Sequence, residues 1–204
     1  MKQNTNDGKG NMAAWIICQD LVLKIRDELK NQAIATLDNE IKEGRMKVNG
    51  QVLTLDPENK EEERSMFLIS NLIEQHEEMI RGYSDYISKN EARDDLKPQD
   101  ILNMESIKKL MLAMKKIVML MGYSNLLGMV YNDIGMKVRQ ETPSKILVEL
   151  SSDYPDLPEL LNFVLSYKPI AEAGLLSQSD ESIIKDALAQ IPKENSHEDT
   201  SMKT

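Results

Sequence analysis

The stretch Lys-Lys-Leu-Met-Leu-Ala-Met at 108–114 is followed at once by a near repeat, Lys-Lys-Ile-Val-Met-Leu-Met at 115–121. These two heptads set paired lysines against apolar positions at helical spacing. Seven of the chain's 13 methionines lie between Met104 and Met136. Because methionine is unbranched and polarizable, it fills irregular gaps in a core or adapts to varied partners. The stretch therefore predicts a long helix with one adaptable apolar face.

A second striped helix precedes the Met-rich one. Its apolar residues recur at steps of three and four from Met66 to Ile87, which is the spacing of one buried helical face. The Met-rich helix repeats this spacing at Met104, Ile107, Met111, Met114, Val118 and Met121. A polar stretch at 88–99, which contains Pro98, predicts a short loop between the two helices. We therefore expect a central antiparallel helical hairpin.

The flanking segments predict an all-α protein of about six or seven helices in total. A first helix is expected to reach Gly44, and the Asn-Gly pair that follows predicts a small β-hairpin near 46–55, because both residues tolerate a positive φ. Gly122 is expected to end the Met-rich helix. Five of the seven prolines lie between 143 and 192. The helices there should be short, at about 143–151, 158–167 and 180–191.

The predicted organisation has four parts. A lead at 1–11 and a tail at 193–204 lack an apolar pattern and are expected to be disordered. Between them we predict a long-helix domain at 12–140 and a short-helix subdomain at 143–192, because the prolines concentrate in the second region.

Composition limits the function classes. The 204 residues include 34 acidic and 25 basic ones, a net charge of −9, which argues against a general nucleic-acid binder. Cys18 is the one cysteine, so no intramolecular disulfide can form, and a reducing compartment is expected. No run of about 18 apolar residues occurs, because lysines divide the Met-rich segment, so we expect no transmembrane helix. The expected location is the cytoplasm.

The residue inventory also limits catalysis. The two histidines are His76, at a stripe position that suits a packed imidazole, and His197, in the predicted tail. With one cysteine besides, a zinc site built from Cys and His is excluded. The chain contains neither a G-x-x-x-x-G-K-[ST] nor a G-x-G-x-x-G phosphate loop. We therefore expect a non-enzymatic protein without a cofactor.

One carboxylate pattern supplies an alternative. Glu74-x-x-Glu77 and Glu91-x-x-Asp94 resemble the E-x-x-E and E-x-x-D motifs of the all-helical, magnesium-dependent nucleotide pyrophosphatases of the MazG type. The resemblance implies that these four carboxylates, on two facing helices, hold Mg²⁺ against a substrate's phosphates. At 100° per residue, however, Glu74 lies about 120° from the centre of its stripe and should face water.

The Met-rich helix itself has two interpretations. Its methionine seam is either core against the preceding stripe or an exposed face for another protein or a second copy of the chain. The candidate partner-binding residues are Met111, Met114, Val118, Met121, Lys108, Lys109, Lys115 and Lys116. The lysine pairs also suit an anionic membrane surface. Our leading hypothesis is a cytoplasmic interaction module, namely an adaptor, chaperone-like protein or regulatory subunit, and the alternatives are the pyrophosphatase and a peripheral membrane protein.

Overall fold

The computed structural model describes residues 7–46, 60–136 and 142–192. They form seven α-helices: α1 (Asp7–Lys42), α2 (Lys60–Glu91), α3 (Pro98–Met136), α4 (Pro143–Asp153), α5 (Leu157–Ser166), α6 (Lys168–Glu172) and α7 (Gln178–Gln190). No strand occurs in these described ranges, and the protein is all-α. The β-hairpin predicted near 46–55 lies almost wholly outside the described residues, and the tail predicted at 193–204 lies entirely outside them.

Helix α1 begins at Asp7, inside the lead predicted at 1–11, and ends two residues before Gly44. Gly44 adopts a φ of +68°, a left-handed conformation that glycine takes without steric cost. The N–H of Gly44 donates to the Ile41 carbonyl oxygen at 3.0 Å, and the N–H of Arg45 donates to the Glu40 carbonyl oxygen at 3.0 Å. This pair of bonds is a Schellman motif, so Gly44 terminates the helix by satisfying its last carbonyl groups.

Helix α3 continues through Gly122, and the helix end predicted at this residue is wrong. The helix runs for 39 residues. An added Cβ at Gly122 would meet no heavy atom within 4 Å, so this glycine serves neither a turn nor a close approach. A glycine inside a helix costs about 1 kcal/mol relative to alanine. Leu120 and Leu127, on either side, are buried, and each contributes roughly 1.5–3 kcal/mol, which outweighs that cost.

The chain divides into two compact units. The central unit is Arg26–Asn125, and the terminal unit combines Met1–Ile25 with Leu126–Thr204. Both boundaries fall inside the long helices α1 and α3. The short helices share the terminal unit with one end of each long helix. The organisation predicted at 12–140 and 143–192 stays a prediction.

In the terminal unit, the short helices pack on one another and bond to the long ones. Helix α4 packs against α5 and α7, and α5 also packs against α6 and α7. The five-residue helix α6 was not predicted from the sequence. Ser177 caps α7 through a capping box with Asp180, and Asp180 also forms an ion pair with Lys24 of α1. Tyr154 Oη donates to Asp133 Oδ2 of α3 at 3.0 Å. These bonds join α4 and α7 to the long helices.

The first part of α1 and the last part of α3 run antiparallel in the terminal unit. Trp15 Nε1–H donates to the Ile134 carbonyl oxygen at 2.6 Å. One turn later on α1, Gln19 Nε2–H donates to the Tyr131 carbonyl oxygen, one turn earlier on α3, at 3.4 Å. The residue number rises along one helix as it falls along the other, which is the order of an antiparallel pair.

In the central unit, α1 contacts both other long helices. Its buried face there consists of Leu29, Ala33 and Leu37. Ser124 Oγ of α3 donates to the Arg26 carbonyl oxygen at 3.1 Å, and Ser65 Oγ of α2 donates to Asp38 Oδ1 at 3.3 Å. Helix α1 is therefore a partner of α3, a role that the sequence prediction gave to α2 alone.

Helix α3 is the one helix of the described ranges that is long and apolar enough to cross a membrane, over Pro98–Ile134. Of its most apolar 18-residue window, 44% is buried inside the protein. The core helix of a soluble protein meets the same criteria, so length and composition do not decide between the two. The expectation of no transmembrane helix stays a prediction.

Candidate partner-binding groove between α2 and α3

The buried face of α3 lies about one residue from the face predicted. Met114 and Met121 are buried, with 0% and 4% of their surface exposed, but Met111 is only half-buried. The predicted seam residues Ile107 and Val118 are half-buried too. The buried residues that the prediction missed are Leu110, Ala113, Ile117 and Leu120. Each directly precedes a predicted seam residue, so the true face is rotated by one residue, roughly 100°.

This rotation divides the candidate partner-binding residues into two groups. Met114 and Met121 belong to the core and cannot contact a partner in the folded protein. The half-buried Met111 and Val118 lie at the margin of the surface. Of the candidate lysines, Lys116 is half-buried and the others are exposed: Lys108, Lys109 and Lys115.

Two apolar residues of α3 outside the predicted seam are exposed. Leu112 has 68% of its surface exposed, and Met119, two turns later on the same face, has 37% exposed. Ile87 of α2 and Met111, Leu112, Lys108 and Lys115 of α3 line a groove of about 390 Å³. Within this groove a single aliphatic wall is flanked by two ammonium groups. We call it the α2–α3 groove.

One ion pair joins α2 and α3 at the α2–α3 groove, through the lining residue Lys108. Lys108 Nζ and Glu91 Oε1 are 2.5 Å apart, and about half of each side chain is exposed, 51% and 52%. Such an exposed pair contributes at most about 1 kcal/mol. Ile87 lies one turn before Glu91 on α2, and Met111 lies about one turn after Lys108 on α3. The two contacts, Glu91 with Lys108 and Ile87 with Met111 across the groove, therefore follow opposite directions along the two helices, which is the order in an antiparallel hairpin. The predicted antiparallel hairpin stays a prediction.

The α2–α3 groove is locally positive although the chain is acidic. No Asp or Glu occurs between Glu105 and Asp133, a segment that contains four lysines. Within the described part of the chain, Lys115 and its neighbour Lys116 form no ion pair, and neither does Lys109. Lys108 of this segment is paired with Glu91, and the other three lysines present positive charge beside exposed apolar surface.

The carboxylates of the pyrophosphatase pattern are not brought together. Helix α2 extends to Glu91, a residue that the sequence placed in a loop. Glu74 and Glu91 therefore lie on one helix, 17 residues and about 25 Å apart at 1.5 Å per residue, whereas ligands of one Mg²⁺ lie about 2 Å from the ion. Glu77 and Asp94 are exposed. Among the described residues, no group of three or more His, Cys, Asp or Glu side chains could hold a metal ion.

Cys18 and the one histidine of the described ranges, His76, both lie within helices. Cys18 is buried, and its burial raises the pKa of the thiol from 9.0 to about 12, so it is not a thiolate at neutral pH. His76 is half-buried, and its Nδ1–H donates to the Ile73 carbonyl oxygen of its own helix at 2.7 Å. Neither lines the α2–α3 groove.

A second, wider groove of about 760 Å³ lies in the terminal unit, where its apolar lining includes Pro155, Pro158, Leu188 and Ile191. It carries no basic side chain, and its edge is Pro192, the last described residue of the chain. The α2–α3 groove differs from it by combining apolar surface with two lysines. Comparison with known protein families, curated proteins and solved structures finds no match. The chemistry of the groove is therefore the basis on which a function is assigned.

Proposed function

We propose that this protein is a non-enzymatic interaction module of the cytoplasm, an adaptor, chaperone-like protein or regulatory subunit, which binds a helix of another protein in the α2–α3 groove. The observation that supports the proposal is Leu112, with 68% of its surface exposed at the wall of a groove that Met111 and Ile87 continue. Burying a leucine contributes roughly 1.5–3 kcal/mol. Binding of a partner that covers Leu112 is favoured by this free energy, because Leu112 is exposed to water in the free protein.

The shape and composition of the surface suit a helix as the ligand. An amphipathic helix laid into a groove presents anchors at steps of three and four residues, and Leu112 and Met119 of α3 repeat at seven. Methionine adapts to partners of different shape because its side chain is flexible. Met111 and Met119 would therefore adjust to the anchors of the bound helix, while the core beneath them stays unchanged.

The proposal is tested by a photocrosslinking amino acid placed at position 112. In a native lysate it should capture a defined protein, which is then purified and titrated against the unmodified chain. Leu112→Asp should weaken that affinity at least tenfold, because it places a charge where the partner's apolar side chain docks. The matched control is Lys145→Asp, at an exposed position of α4 in the terminal unit, and it should leave the affinity unchanged.

Two outcomes would refute the proposal. The first is a crosslinked protein whose affinity does not change in the Leu112→Asp variant. The second is a crosslink that forms equally well from position 145, which would show that capture is not specific to the α2–α3 groove. Because Leu112 is exposed, loss of binding in the variant is separable from loss of folding by its circular dichroism spectrum.

A further inference from the structure

We propose that the helix bound in the α2–α3 groove is acidic, with two carboxylates about two helical turns apart on either side of its apolar anchor. This inference rests on the proposed function and adds the chemistry of the partner. Lys108 and Lys115 lie on either side of Leu112 in the groove, and their charge and spacing support the inference.

The distance between Lys108 and Lys115 sets the spacing expected of the partner's carboxylates. Lys108 lies four residues before Leu112 and Lys115 three residues after it, so the three side chains share one face of α3. Seven residues of helix span about 10.5 Å. A partner helix along the groove meets both ammonium groups if its own Asp or Glu residues are seven apart. Its apolar anchor then lies between them, over Leu112.

The protein itself leaves most of this charge available. Lys108 is paired with Glu91, but both side chains are about half exposed, so a partner carboxylate can replace Glu91 at small cost. Lys115 has no ion pair within the described residues. Lys109 and Lys116 repeat the seven-residue spacing on the adjacent side of α3. The groove therefore offers a partner one pair of lysines, Lys108 and Lys115, and an apolar wall.

Charge complementarity also distinguishes the correct partner from other amphipathic helices. The net charge of −9 repels acidic helices from most of the surface, while α3 attracts them locally. A basic helix with the same apolar face would meet Lys108 and Lys115 at close range, and like charges in contact oppose binding. The groove is thus selective by sign as well as by shape.

The test uses the full chain and two synthetic helices that share one apolar face. One carries Glu at the two flanking positions seven apart, and the other carries Lys there. Fluorescence anisotropy at low salt should show the acidic helix binding at least tenfold more tightly. At about 1 M salt, where the screening length falls to ~3 Å, this preference should fall to less than threefold.

Charge reversal provides the residue-level control. Lys115→Glu should abolish the preference for the acidic helix, whereas Lys145→Glu, at an exposed position of α4, should preserve it. Equal binding of both helices would overturn the inference and leave the proposed function standing. If neither helix binds, and Leu112→Asp leaves capture of the crosslinked protein unchanged, both proposals fail.

Two other occupants of the α2–α3 groove, a membrane surface and a second copy of the chain, are tested beside the two helices. Lys115-dependent sedimentation with vesicles of phosphatidylserine and phosphatidylcholine, without binding of the acidic helix, would overturn the inference in favour of a membrane surface. Concentration-dependent dimerisation that Leu112→Asp abolishes, again without binding of the acidic helix, would overturn it in favour of a second copy of the chain.

Discussion

Two neighbouring residues of α3, Met114 and Leu112, should respond to the same substitution in opposite ways. Met114 has 0% of its surface exposed and Leu112 has 68%. Met114→Ala removes buried atoms and leaves a cavity, which costs about 2–5 kcal/mol. Leu112→Ala removes atoms that are mostly in water, and surface substitutions change stability by roughly 0.5 kcal/mol or less. A chain of this size loses about 2–4 °C of melting temperature per kcal/mol. A loss of ~3 kcal/mol at Met114 therefore lowers it by about 10 °C.

The assay is urea unfolding followed by circular dichroism at 222 nm, with the free energy of unfolding extrapolated to zero denaturant for each variant. Leu112→Ala should also weaken binding of the partner helix, so one side chain determines binding and the other determines stability. Equal destabilisation by the two variants would refute the orientation of α3 in which Leu112 faces water and Met114 faces the core.

Gly122→Ala should raise the free energy of unfolding by up to about 1 kcal/mol, since a Cβ there meets no heavy atom within 4 Å. Gly44→Ala should lower it by about 1 kcal/mol, because Gly44 has a φ of +68°. An increase in the free energy of unfolding for both variants would contradict the left-handed end of α1 at Gly44. The guanidinium of Arg45 hydrogen-bonds Glu40 and holds the pKa of that carboxyl below its ordinary 4.5, so Arg45→Met should lower the free energy of unfolding at pH 7. That difference should disappear as the pH falls below 4.5 through the folded pKa, and a pH-independent difference would show that the pair is not its source. Mild peroxide should oxidise Met119 well before the three buried methionines of α3, which are Met104, Met114 and Met121. Peptide mass mapping measures the oxidation rate at each position, and equal rates would show that the buried methionines are not protected.

The all-α class and most helices could be predicted because their apolar residues recur at helical spacing, and that signal is local. The stripe of α2 was found from Met66 to Ile87, yet Ile73 and Ile80 are only half-buried. Periodicity locates an apolar face but not the neighbour that covers it. The role of α1 as a partner of α3 depends on contacts such as Ser124 with Arg26, which are 98 residues apart in the chain, and no local pattern contains them.

The sequence singled out part of the groove lining and missed the rest. Lys108, Lys115 and Met111 were among the candidate residues, whereas Leu112 was not. The buried face of α3 was misplaced because this helix is apolar around most of its circumference and two overlapping stripes fit its sequence. Leu110, Ile117 and Leu120 form as regular a series as the methionines. That second series was the available signal, and branched leucine and isoleucine suit a fixed core better than methionine does.

The terminal unit combines two segments that are far apart in the chain, and this sets an order of events on the ribosome. The segment up to Ile25 is synthesised 101 residues before Leu126, where the other part of its unit begins. At ~5–20 residues per second this is an interval of about 5–20 s. During it, Leu21 and Val22, both buried in the finished protein, lack the second part of their unit, and the central unit becomes complete only at the end of the interval, with Asn125. A nascent-chain chaperone that binds the segment around Leu21 and Val22 would have those seconds in which to do so.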